Sequence, residues 1–221
     1  MAIPTVLKAQ KRALRKAISA TLSQLPLTNI EEQSQEITAR VLSLTSFKHA
    51  TSVSCYLSMP SGEVRTPAIV DAILASGKTL FVPKIQTAEG NMDFFRIHSA
   101  DDLASLPSGT WGIKEPDVLW QGEKRTSILG STTEGLDMIL LPGVAFDRSL
   151  SRLGHGKGYY DRFVSSYVAS GRPKPLLVGL GLREQLLYEG VPMADHDWKL
   201  DVLVTPDGTL FADGENTEST I

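Results

Sequence analysis

The sequence has little cysteine, no long apolar run and no excess of positive charge. Cys55 is the single cysteine among 221 residues, which excludes an internal disulfide and disfavours a thiolate metal site. Apolar runs stay well short of the roughly 20 residues that a membrane-spanning helix needs. The formal net charge of −3 and the pI near 5.8 argue against nucleic acid as a partner. We therefore expect neither a membrane nor a nucleic acid among the partners.

Acidic residues are absent from the first 30 positions, where several lysines and arginines lie. This composition is typical of a mitochondrial presequence, but it also fits a basic amphipathic helix that belongs to the fold. Leu14, Ile18 and Leu22 are spaced for one apolar face of such a helix. We favour the helix, and with it a cytoplasmic protein, while a mitochondrial location stays open. Lys11 and Arg15, four residues apart, then lie on one side of the helix.

Helical and strand periodicities alternate along the chain. The strand, loop, helix and strand predicted over residues 51–85 are typical of a parallel pair joined by a right-handed crossover. We expect an α/β fold in one domain over residues 1–212, a monomer, and a polar, disordered tail at 213–221. The predicted elements are helices at 5–24, 28–44, 67–76, 99–106, 159–170 and 183–187, and strands at 51–59, 78–85, 92–97, 138–141, 175–182, 201–205 and 210–212.

Capping and turn residues mark where several of these elements begin. Thr28 and Glu31 have the spacing of a capping box, which predicts a helix start. Thr66 in front of Pro67 predicts another helix start, with the threonine as the cap. Residues 121–135 are polar, contain glycine and lack periodicity, so they predict a surface loop of variable order.

Three glycines at alternate positions follow one predicted strand and precede a predicted helix. Gly154, Gly156 and Gly158 allow positive φ angles and let a ligand approach the backbone N–H groups closely. Such N–H groups in front of a helix N-terminus attract phosphate. A glycine-rich turn without a ligand is the alternative interpretation. We predict a polyphosphate site, with three basic side chains beside the glycines: Arg152, His155 and Lys157.

Common nucleotide-binding and hydrolase motifs do not match this stretch. A P-loop requires Ser or Thr after Gly-Lys, but Gly158 follows Lys157. A dinucleotide-binding motif requires glycine at the position of Tyr159. The sequence also lacks a G-x-S-x-G motif, so a serine hydrolase triad has little support. The predicted phosphate site is therefore of a different kind.

Two aspartates near the ends of predicted elements are the best candidates for binding Mg²⁺. Asp161 would lie in the first turn of the helix after the glycines, and Asp197 lies in a late loop. Magnesium that is bound with a nucleotide takes one or two carboxylates and phosphate oxygens. Asp195 and Asp201 lie close to Asp197 in the sequence, and spacing alone does not dismiss them.

Two other loops carry residues suited to a flat ligand. Glu63 follows the first predicted strand, and ligands of open α/β sheets bind beyond the carboxyl ends of strands. Trp111 lies in a segment without regular periodicity, where its ring would suit stacking on a heterocycle. The structural alternatives are a solvated glutamate and a tryptophan that covers the core.

Six motifs occur in a fixed order between residues 8 and 205. They are K-R-x-L-R from Lys11, S-M-x-x-x-E from Ser58 to Glu63, the Trp111 loop, L-P-G-V-A-F-D, R-L-G-H-G-K-G-Y-Y-D, and D-x-K-x-D from Asp197. In this combination the sequence resembles the 5-formyltetrahydrofolate cyclo-ligase family, whose enzymes are also called methenyltetrahydrofolate synthetases. The motif with the alternating glycines is the most specific of the six.

The resemblance implies a fold and a reaction. The fold is a Rossmann-like three-layer αβα arrangement with a mostly parallel, mixed-edge central sheet, similar to the sugar-phosphate isomerase and CoA-transferase group. The reaction is the ATP- and Mg²⁺-dependent cyclisation of 5-formyltetrahydrofolate, also in polyglutamylated form, to 5,10-methenyltetrahydrofolate, ADP and phosphate. It proceeds through phosphorylation of the formyl oxygen and belongs to one-carbon metabolism.

The resemblance also implies roles for matching positions. Asp161 and Asp197 match magnesium ligands. The catalytic cations for phosphoryl transfer are Lys11, Arg15, Arg152 and Lys157. The ATP-binding positions are Lys11, Arg12, Arg15, Arg152, Leu153, Gly154, His155, Gly156, Lys157, Gly158, Tyr159 and Tyr160. The folate-binding positions are Leu57, Met59, Glu63, Trp111, His155, Gly156, Lys157, Gly158 and Tyr159.

Two other functions stay open at this point. One is a phospho-sugar isomerase or a kinase-like enzyme on a related fold. The other is a non-catalytic sensor of folate or nucleotide. A sensor would not need the whole set of Lys11, Glu63, Arg152 and Asp161, so the intact set disfavours it.

Overall fold

A computed structural model of the chain describes residues 5–86, 91–109 and 112–212. None of the helices in these ranges combines the length and the apolar character needed to cross a bilayer. The helices are α1 (Thr5–Leu22), α2 (Leu27–Ser43), α3 (Thr45–His49), α4 (Pro67–Ala75), α5 (Ala100–Ser105) and α6 (Tyr159–Ala169). The strands are β1 (Ser52–Cys55), β2 (Thr79–Ile85), β3 (Met92–Ile97), β4 (Leu119–Trp120), β5 (Glu123–Lys124), β6 (Met138–Leu141), β7 (Ala145–Asp147), β8 (Arg152–Leu153), β9 (Leu176–Leu180), β10 (Leu186–Leu187), β11 (Val202–Thr205) and β12 (Gly208–Phe211).

A seven-stranded sheet forms the centre of the described part of the chain, in the order β12-β11-β9-β6-β1-β2-β3. The inner strands β11, β9, β6, β1 and β2 are parallel to one another. At the two edges, β12 and β3 pair antiparallel with their neighbours. This arrangement confirms the predicted mostly parallel sheet with mixed edges.

Side chains of the inner strands pack alternately into two helical layers, because successive strand residues point to opposite faces. In β6, Met138 and Leu140 belong to the apolar cluster that includes side chains of α1, α2 and α4. Ile139 and Leu141 belong to the cluster that includes Phe163 of α6. The sheet therefore lies between two helical layers, which confirms the predicted three-layer fold.

The direction of strand succession reverses between β1 and β6. The chain continues from β1 to β2 on one side, and from β6 to β9 and β11 on the other. Cys55 pairs with Leu140, so the carboxyl ends of β1 and β6 lie side by side. The loop over residues 56–66 and the segment over residues 142–158 therefore leave the sheet next to each other. Open α/β sheets bind ligands at such a reversal point.

One predicted helix cap is wrong, and a second has the predicted position but no capping hydrogen bond. The helix α2 begins one residue before Thr28 and has Pro26 at its N-cap position, so Thr28 and Glu31 form no capping box. A proline at this point already fixes the backbone that leads into the helix. Thr66 does precede α4, but its hydroxyl donates to the carbonyl of Tyr56 at 2.8 Å instead of capping the helix. Thr66 therefore closes the loop after β1.

The segment 121–135, predicted as a loop of variable order, is largely ordered. The strands β4 and β5 form a short hairpin, and Ser127 makes an isolated bridge with Phe95 of β3. Arg125 and Ile128 are buried. The segment packs against the β3 edge because these two side chains anchor it there.

Several element bounds also differ from the prediction. The strand β1 ends at Cys55, since the following residues form the loop that Thr66 closes. The predicted helix at 183–187 is a 3-10 helix at Arg183–Gln185 followed by β10. The strands β7, β8 and β10 form a small second sheet that the prediction lacked. The tail 213–221 and Trp111 lie outside the described residues.

Candidate active site

The glycine stretch begins in β8 and ends at the N-terminus of α6. Arg152 and Leu153 of β8 are buried, since β8 pairs with β7 in the second sheet. Gly156 and Gly158 have φ angles of 100° and 64°, the left-handed region predicted for them, and Gly158 is the N-cap of α6. The backbone therefore turns sharply into the helix, and the first turn of α6 carries Asp161.

Arg15 of α1 packs directly against the glycine stretch. Its Nε donates to the carbonyl of Gly154 at 2.7 Å. A Cβ added to Gly156 would lie 3.2 Å from the Arg15 guanidinium carbon, so a side chain there would crowd the arginine. The positive φ favours glycine at this position, and a Cβ would in addition displace the Arg15 guanidinium by a few tenths of an ångström.

Arg152 holds Asp161 in place. Its guanidinium donates to the Asp161 Oδ2 at 3.0 Å and to the carbonyl of Pro142 at 3.2 Å. The other carboxylate oxygen of Asp161 accepts the backbone N–H of Trp198 at 3.0 Å. Asp161 is thus fixed by a strand of the second sheet and by a loop near the C-terminus.

Lys11 and Asp197 form an ion pair between the first helix and the late loop. The Lys11 ammonium donates to Asp197, whose Oδ2 also accepts the N–H of Ala194 at 2.7 Å. The two side chains are 9% and 13% exposed, so water screens the pair poorly. This pair brings residues from both ends of the chain into one site.

These groups line a first cavity of about 500 Å³. Among the described residues, six lysine and arginine side chains, His196 and two carboxylates face it, and these carboxylates are the predicted magnesium ligands, Asp161 and Asp197. The cationic excess suits a polyanion. Carboxylate oxygens beside a polyanion are the donors that Mg²⁺ prefers. The six lysines and arginines are Lys8, Lys11, Arg15, Arg152, Lys157 and Arg162.

A second cavity of about 470 Å³ adjoins the first and is mostly apolar. Lys157 lines both cavities. The loop after β1, the carboxyl end of β2 and the start of α6 form its walls, at the reversal point of the sheet. Its apolar and aromatic lining is Tyr56, Leu57, Met59, Pro83, Ile85, Met92, Ile113, Pro142, Tyr159 and Tyr160, and its polar lining is Glu63, Gln86, Glu115, His155 and Lys157.

Glu63 is buried in the second cavity, with 4% of its surface exposed. Its Oε1 accepts the backbone N–H of Met59. Burial raises the pKa of Glu63 to about 7, although the Met59 N–H and the positive charge of Arg65 act in the opposite direction. Glu63 therefore changes its charge near neutral pH.

His155 lies at the boundary of the glycine stretch and the second cavity. Loss of hydration, together with the positive charges of Arg15 and Arg152, lowers the pKa of His155. Its imidazole is therefore neutral at pH 7, so one ring nitrogen can donate a hydrogen bond and the other can accept one.

Most of the predicted site residues come together in these two cavities. The first contains Lys11, Arg15, Arg152, Leu153, Gly154, Gly156, Lys157, Gly158, Asp161 and Asp197. The second contains Leu57, Met59, Glu63, His155, Lys157, Tyr159 and Tyr160. His155 and Tyr159, predicted to contact both ATP and folate, line the second cavity together with Tyr160, which was predicted to contact ATP. Gly156 and Gly158, also predicted for both ligands, line the first.

Of the predicted site residues that the structure describes, Arg12 is not brought to the site, and several residues that line it were not predicted. Arg12 is exposed and lines neither cavity, because it lies about 100° around the helix from Lys11. Lys8 and Arg162 line the first cavity. The sequence could have indicated both, since Lys8 lies one helical turn before Lys11 and Arg162 directly follows Asp161 of the glycine motif. Glu115 lines the second cavity, although its segment has no periodicity.

The comparisons with known proteins agree with the geometry. The model of the 5-formyltetrahydrofolate cyclo-ligase family matches residues 7–206. A Schizosaccharomyces pombe protein named "Probable 5-formyltetrahydrofolate cyclo-ligase" is 37% identical, with 91% of this chain and 97% of that protein covered. The Mus musculus 5-formyltetrahydrofolate cyclo-ligase is 35% identical, with 94% of this chain and 98% of that protein covered.

A solved structure extends the likeness to the fold. The Aquifex aeolicus 5,10-methenyltetrahydrofolate synthetase has a TM-score of 0.72 and 31% sequence identity, and the match covers 95% of this chain and 96% of that chain. The match thus extends over nearly the whole of both chains. The chain therefore belongs to the 5-formyltetrahydrofolate cyclo-ligase family of enzymes.

Proposed function

We propose that this enzyme converts 5-formyltetrahydrofolate to 5,10-methenyltetrahydrofolate at the expense of ATP, with Mg²⁺ bound beside the nucleotide. The observation that carries the proposal is the junction of a cationic cavity and an apolar cavity at Lys157. A polyphosphate in the first cavity and a reduced folate in the second would meet at this side chain. The proposal places phosphoryl transfer at that junction.

The first cavity suits the triphosphate of ATP. Phosphoryl transfer depends mainly on positioning and on neutralising the charge of the phosphate oxygens. Lys11, Arg15, Arg152 and Lys157 face this cavity and would supply that neutralisation. The N–H groups that lead into α6 would add backbone donors at a helix N-terminus.

The carboxylates of Asp161 and Asp197 would hold the magnesium ion. Both face the first cavity, and both are held in place by hydrogen bonds from backbone N–H groups. Bound Mg²⁺ would neutralise part of the phosphate charge. Its entry would compete with Arg152 and Lys11, which pair with these carboxylates here.

The second cavity suits a reduced pterin. Its apolar wall and its tyrosines would pack against the ring, and Glu63 would accept hydrogen bonds from ring N–H groups. Reduced folates carry such N–H donors. They would give the buried Glu63 carboxylate hydrogen-bond partners that the apolar wall of the cavity does not offer. The formyl group would then point toward Lys157.

The proposed chemistry has two steps. In the first, the formyl oxygen attacks the γ-phosphorus, the bond between oxygen and phosphorus forms, and ADP leaves. In the second, N10 attacks the formyl carbon and loses its proton, and the carbon–oxygen bond breaks to release phosphate. Lys157 lies where it can stabilise the oxygens of the transferred group in both steps. A covalent enzyme nucleophile is not required.

The test is the formation of the methenyl product, followed by its absorbance. We expect product only with 5-formyltetrahydrofolate, ATP and Mg²⁺ present together. Replacing Lys157→Ala or Asp161→Asn removes a charge from the site, so turnover should fall about 100-fold or more. The control is Lys16→Ala, since Lys16 is exposed on α1 and lines neither cavity.

Two results would contradict the proposal. One is a folded wild-type enzyme that makes no product under these conditions. The other is wild-type turnover in both the Lys157→Ala and the Asp161→Asn variants. A phospho-sugar enzyme would instead be stabilised by a sugar phosphate and not by 5-formyltetrahydrofolate in a thermal unfolding assay.

A further inference from the structure

The second cavity contains another carboxylate besides Glu63. Glu115 reaches it from a different part of the chain, the segment between α5 and β4. Its backbone N–H donates to the carbonyl of Pro107 at 3.1 Å. Ser108 and Lys114 form an isolated antiparallel β-bridge beside this contact. Lys114 extends to the carbonyl of Ala104, at 2.9 Å from its Nζ. Lys114 thus points away from the cavity, and Glu115 is the acidic side chain of this segment that lines it, next to the apolar Ile113.

Gly109 makes room for the Glu115 side chain. A Cβ added to Gly109 would lie 2.8 Å from the Cγ and 2.9 Å from the Cδ of Glu115, closer than carbon atoms pack. The N–H of Gly109 donates to the carbonyl of Ile113 at 2.6 Å, which holds this backbone in place. The position of the Glu115 carboxylate therefore depends on the missing side chain at Gly109.

The Glu115 carboxylate lacks donors of its own. Within residues 5–86, 91–109 and 112–212, no group forms a hydrogen bond or an ion pair with it. Burial raises the pKa of Glu115, and the more distant charge of Lys84 only partly offsets this. A partly buried carboxylate without hydrogen-bond donors has lost hydration energy that nothing replaces. A ligand with N–H groups would replace it by donating hydrogen bonds to the carboxylate.

Glu115 and Glu63 differ in the number of free oxygens. One oxygen of Glu63 already accepts the N–H of Met59, so Glu63 offers a single free oxygen to a ligand. Both oxygens of Glu115 are available among the described contacts. A carboxylate with two free oxygens matches a pair of parallel N–H donors. In a pterin, the 2-amino group and N3–H form such a pair.

We propose that Glu115 binds the 2-amino and N3–H groups of the substrate's pterin ring through its two carboxylate oxygens. The inference rests on the proposed function, since it assigns the orientation of the folate in the second cavity. Glu115 is then a residue that determines specificity for the pterin and leaves the chemistry at N5 and N10 to other groups. Glu63 then accepts a hydrogen bond from a different N–H group of the folate.

The experiment measures binding apart from turnover. The Kd of 5-formyltetrahydrofolate without ATP, and then kcat and both KM values, are determined for the wild type, Glu115→Gln and Glu115→Ala. Loss of a paired hydrogen bond should raise the Kd and the KM for the folate about 10- to 100-fold. We expect kcat and the KM for ATP to stay within about twofold, because the reacting atoms are untouched. The control is Glu123→Gln, an exposed carboxylate of β5.

A substrate analogue without the 2-amino group gives a second measurement. The wild type should bind it about 10-fold or more weakly than the substrate, since one paired donor is missing. The Glu115→Ala variant should bind both compounds with equal, weak affinity. Gly109→Ala, which displaces the Glu115 side chain, should also raise the Kd for the folate while circular dichroism stays that of the wild type.

Three outcomes would overturn the inference. They are unchanged folate affinity in both Glu115 variants, a fall in kcat with an unchanged KM for the folate, and continued discrimination against the analogue in Glu115→Ala. Failure of the proposed function is a separate result, in which the wild type makes no methenyl product. Folate binding by the wild type is measured without ATP, so the two failures are distinguishable.

Discussion

Glu63 shows how a single buried side chain sets a pH dependence. Burial is the main cause of the raised pKa of the nearby Tyr56, and the negative charge of Glu63 is the next largest cause. The pKa of Glu63 is itself raised to about 7 by burial. The folded state therefore keeps a proton on Glu63 at pH values where the unfolded chain has lost it.

The sign of the effect on stability follows from this difference. The raised pKa stabilises the folded state fully below about pH 4.5, and this contribution is lost as the pH rises to about 7. We expect the wild type to lose about 3 kcal/mol relative to Glu63→Gln over this interval, as an upper bound. Urea unfolding at pH 4.5, 6 and 8 measures it, with Glu36→Gln on the exposed face of α2 as the control. Parallel pH profiles of the wild type and Glu63→Gln would contradict the prediction.

Local spacing predicted some site residues and missed others for physical reasons. Lys11 and Arg15 were predictable together, because residues four apart share a helix face. The same helix geometry turns Arg12, the residue after Lys11, away from the first cavity. The sequence offered no comparable signal for Glu115, since its place depends on Gly109 and on contacts across the segment. Motifs thus revealed the residues of the first, cationic cavity better than those of the second, apolar cavity.

At the scale of elements, a buried ion pair anchors the segment between α5 and β6. Arg125 contacts Asp102 of α5 with both terminal nitrogens, at 2.6 and 2.8 Å. The guanidinium also donates to the carbonyls of Arg96 and Asp117, and Asp102 accepts the N–H of His98. These contacts thus join the segment around Arg125 to β3 and to α5.

Removing one partner of this pair should destabilise the fold strongly. Arg125→Met leaves the Asp102 carboxylate buried without its counter-charge, which costs about 3–5 kcal/mol. The double variant Asp102→Leu with Arg125→Met should lose less than the sum of the two single variants, because neither charge remains. Chemical unfolding of all three variants measures these differences, and exposed Lys124→Met is the control. Additive losses in the double variant would show that the pair is not coupled.

This anchor explains why the segment 121–135 was predicted incorrectly. An arginine in a polar, glycine-bearing stretch usually lies in solvent, and its partner Asp102 is 23 residues away. By contrast, the strands and helices around the sheet were predictable, because their periodicity reflects burial of one face. Pairing between distant polar residues leaves no such period, so the sequence predicted the core better than the segment packed over its edge.

At the scale of the whole molecule, the Lys11–Asp197 pair joins α1 to the loop before β11. The partners are 186 residues apart in sequence. The helix α1 is also held by Ile18 and Leu22 in the core and by the contact of Arg15 with Gly154. The first cavity is therefore complete only when both ends of the chain are docked.

Loss of the pair should loosen both ends at once. Lys11→Met removes the charge that faces Asp197, so local opening of α1 and of residues 194–198 should become easier. Hydrogen exchange followed by mass spectrometry should show faster exchange in both segments, about 10-fold, whereas Lys16→Met should change neither. Faster exchange in α1 alone would mean that the late loop does not depend on this contact.

The order in which a ribosome makes the chain gives this long-range contact a further consequence. Lys11 leaves the ribosome early, whereas Asp197 follows 186 residues later. At about 5–20 residues per second, the interval is roughly 10–40 s. During this time α1 lacks its late partner, and the cationic cavity has no carboxylate from the late loop. A growing chain therefore cannot complete the first cavity until the loop that carries Asp197 has been made.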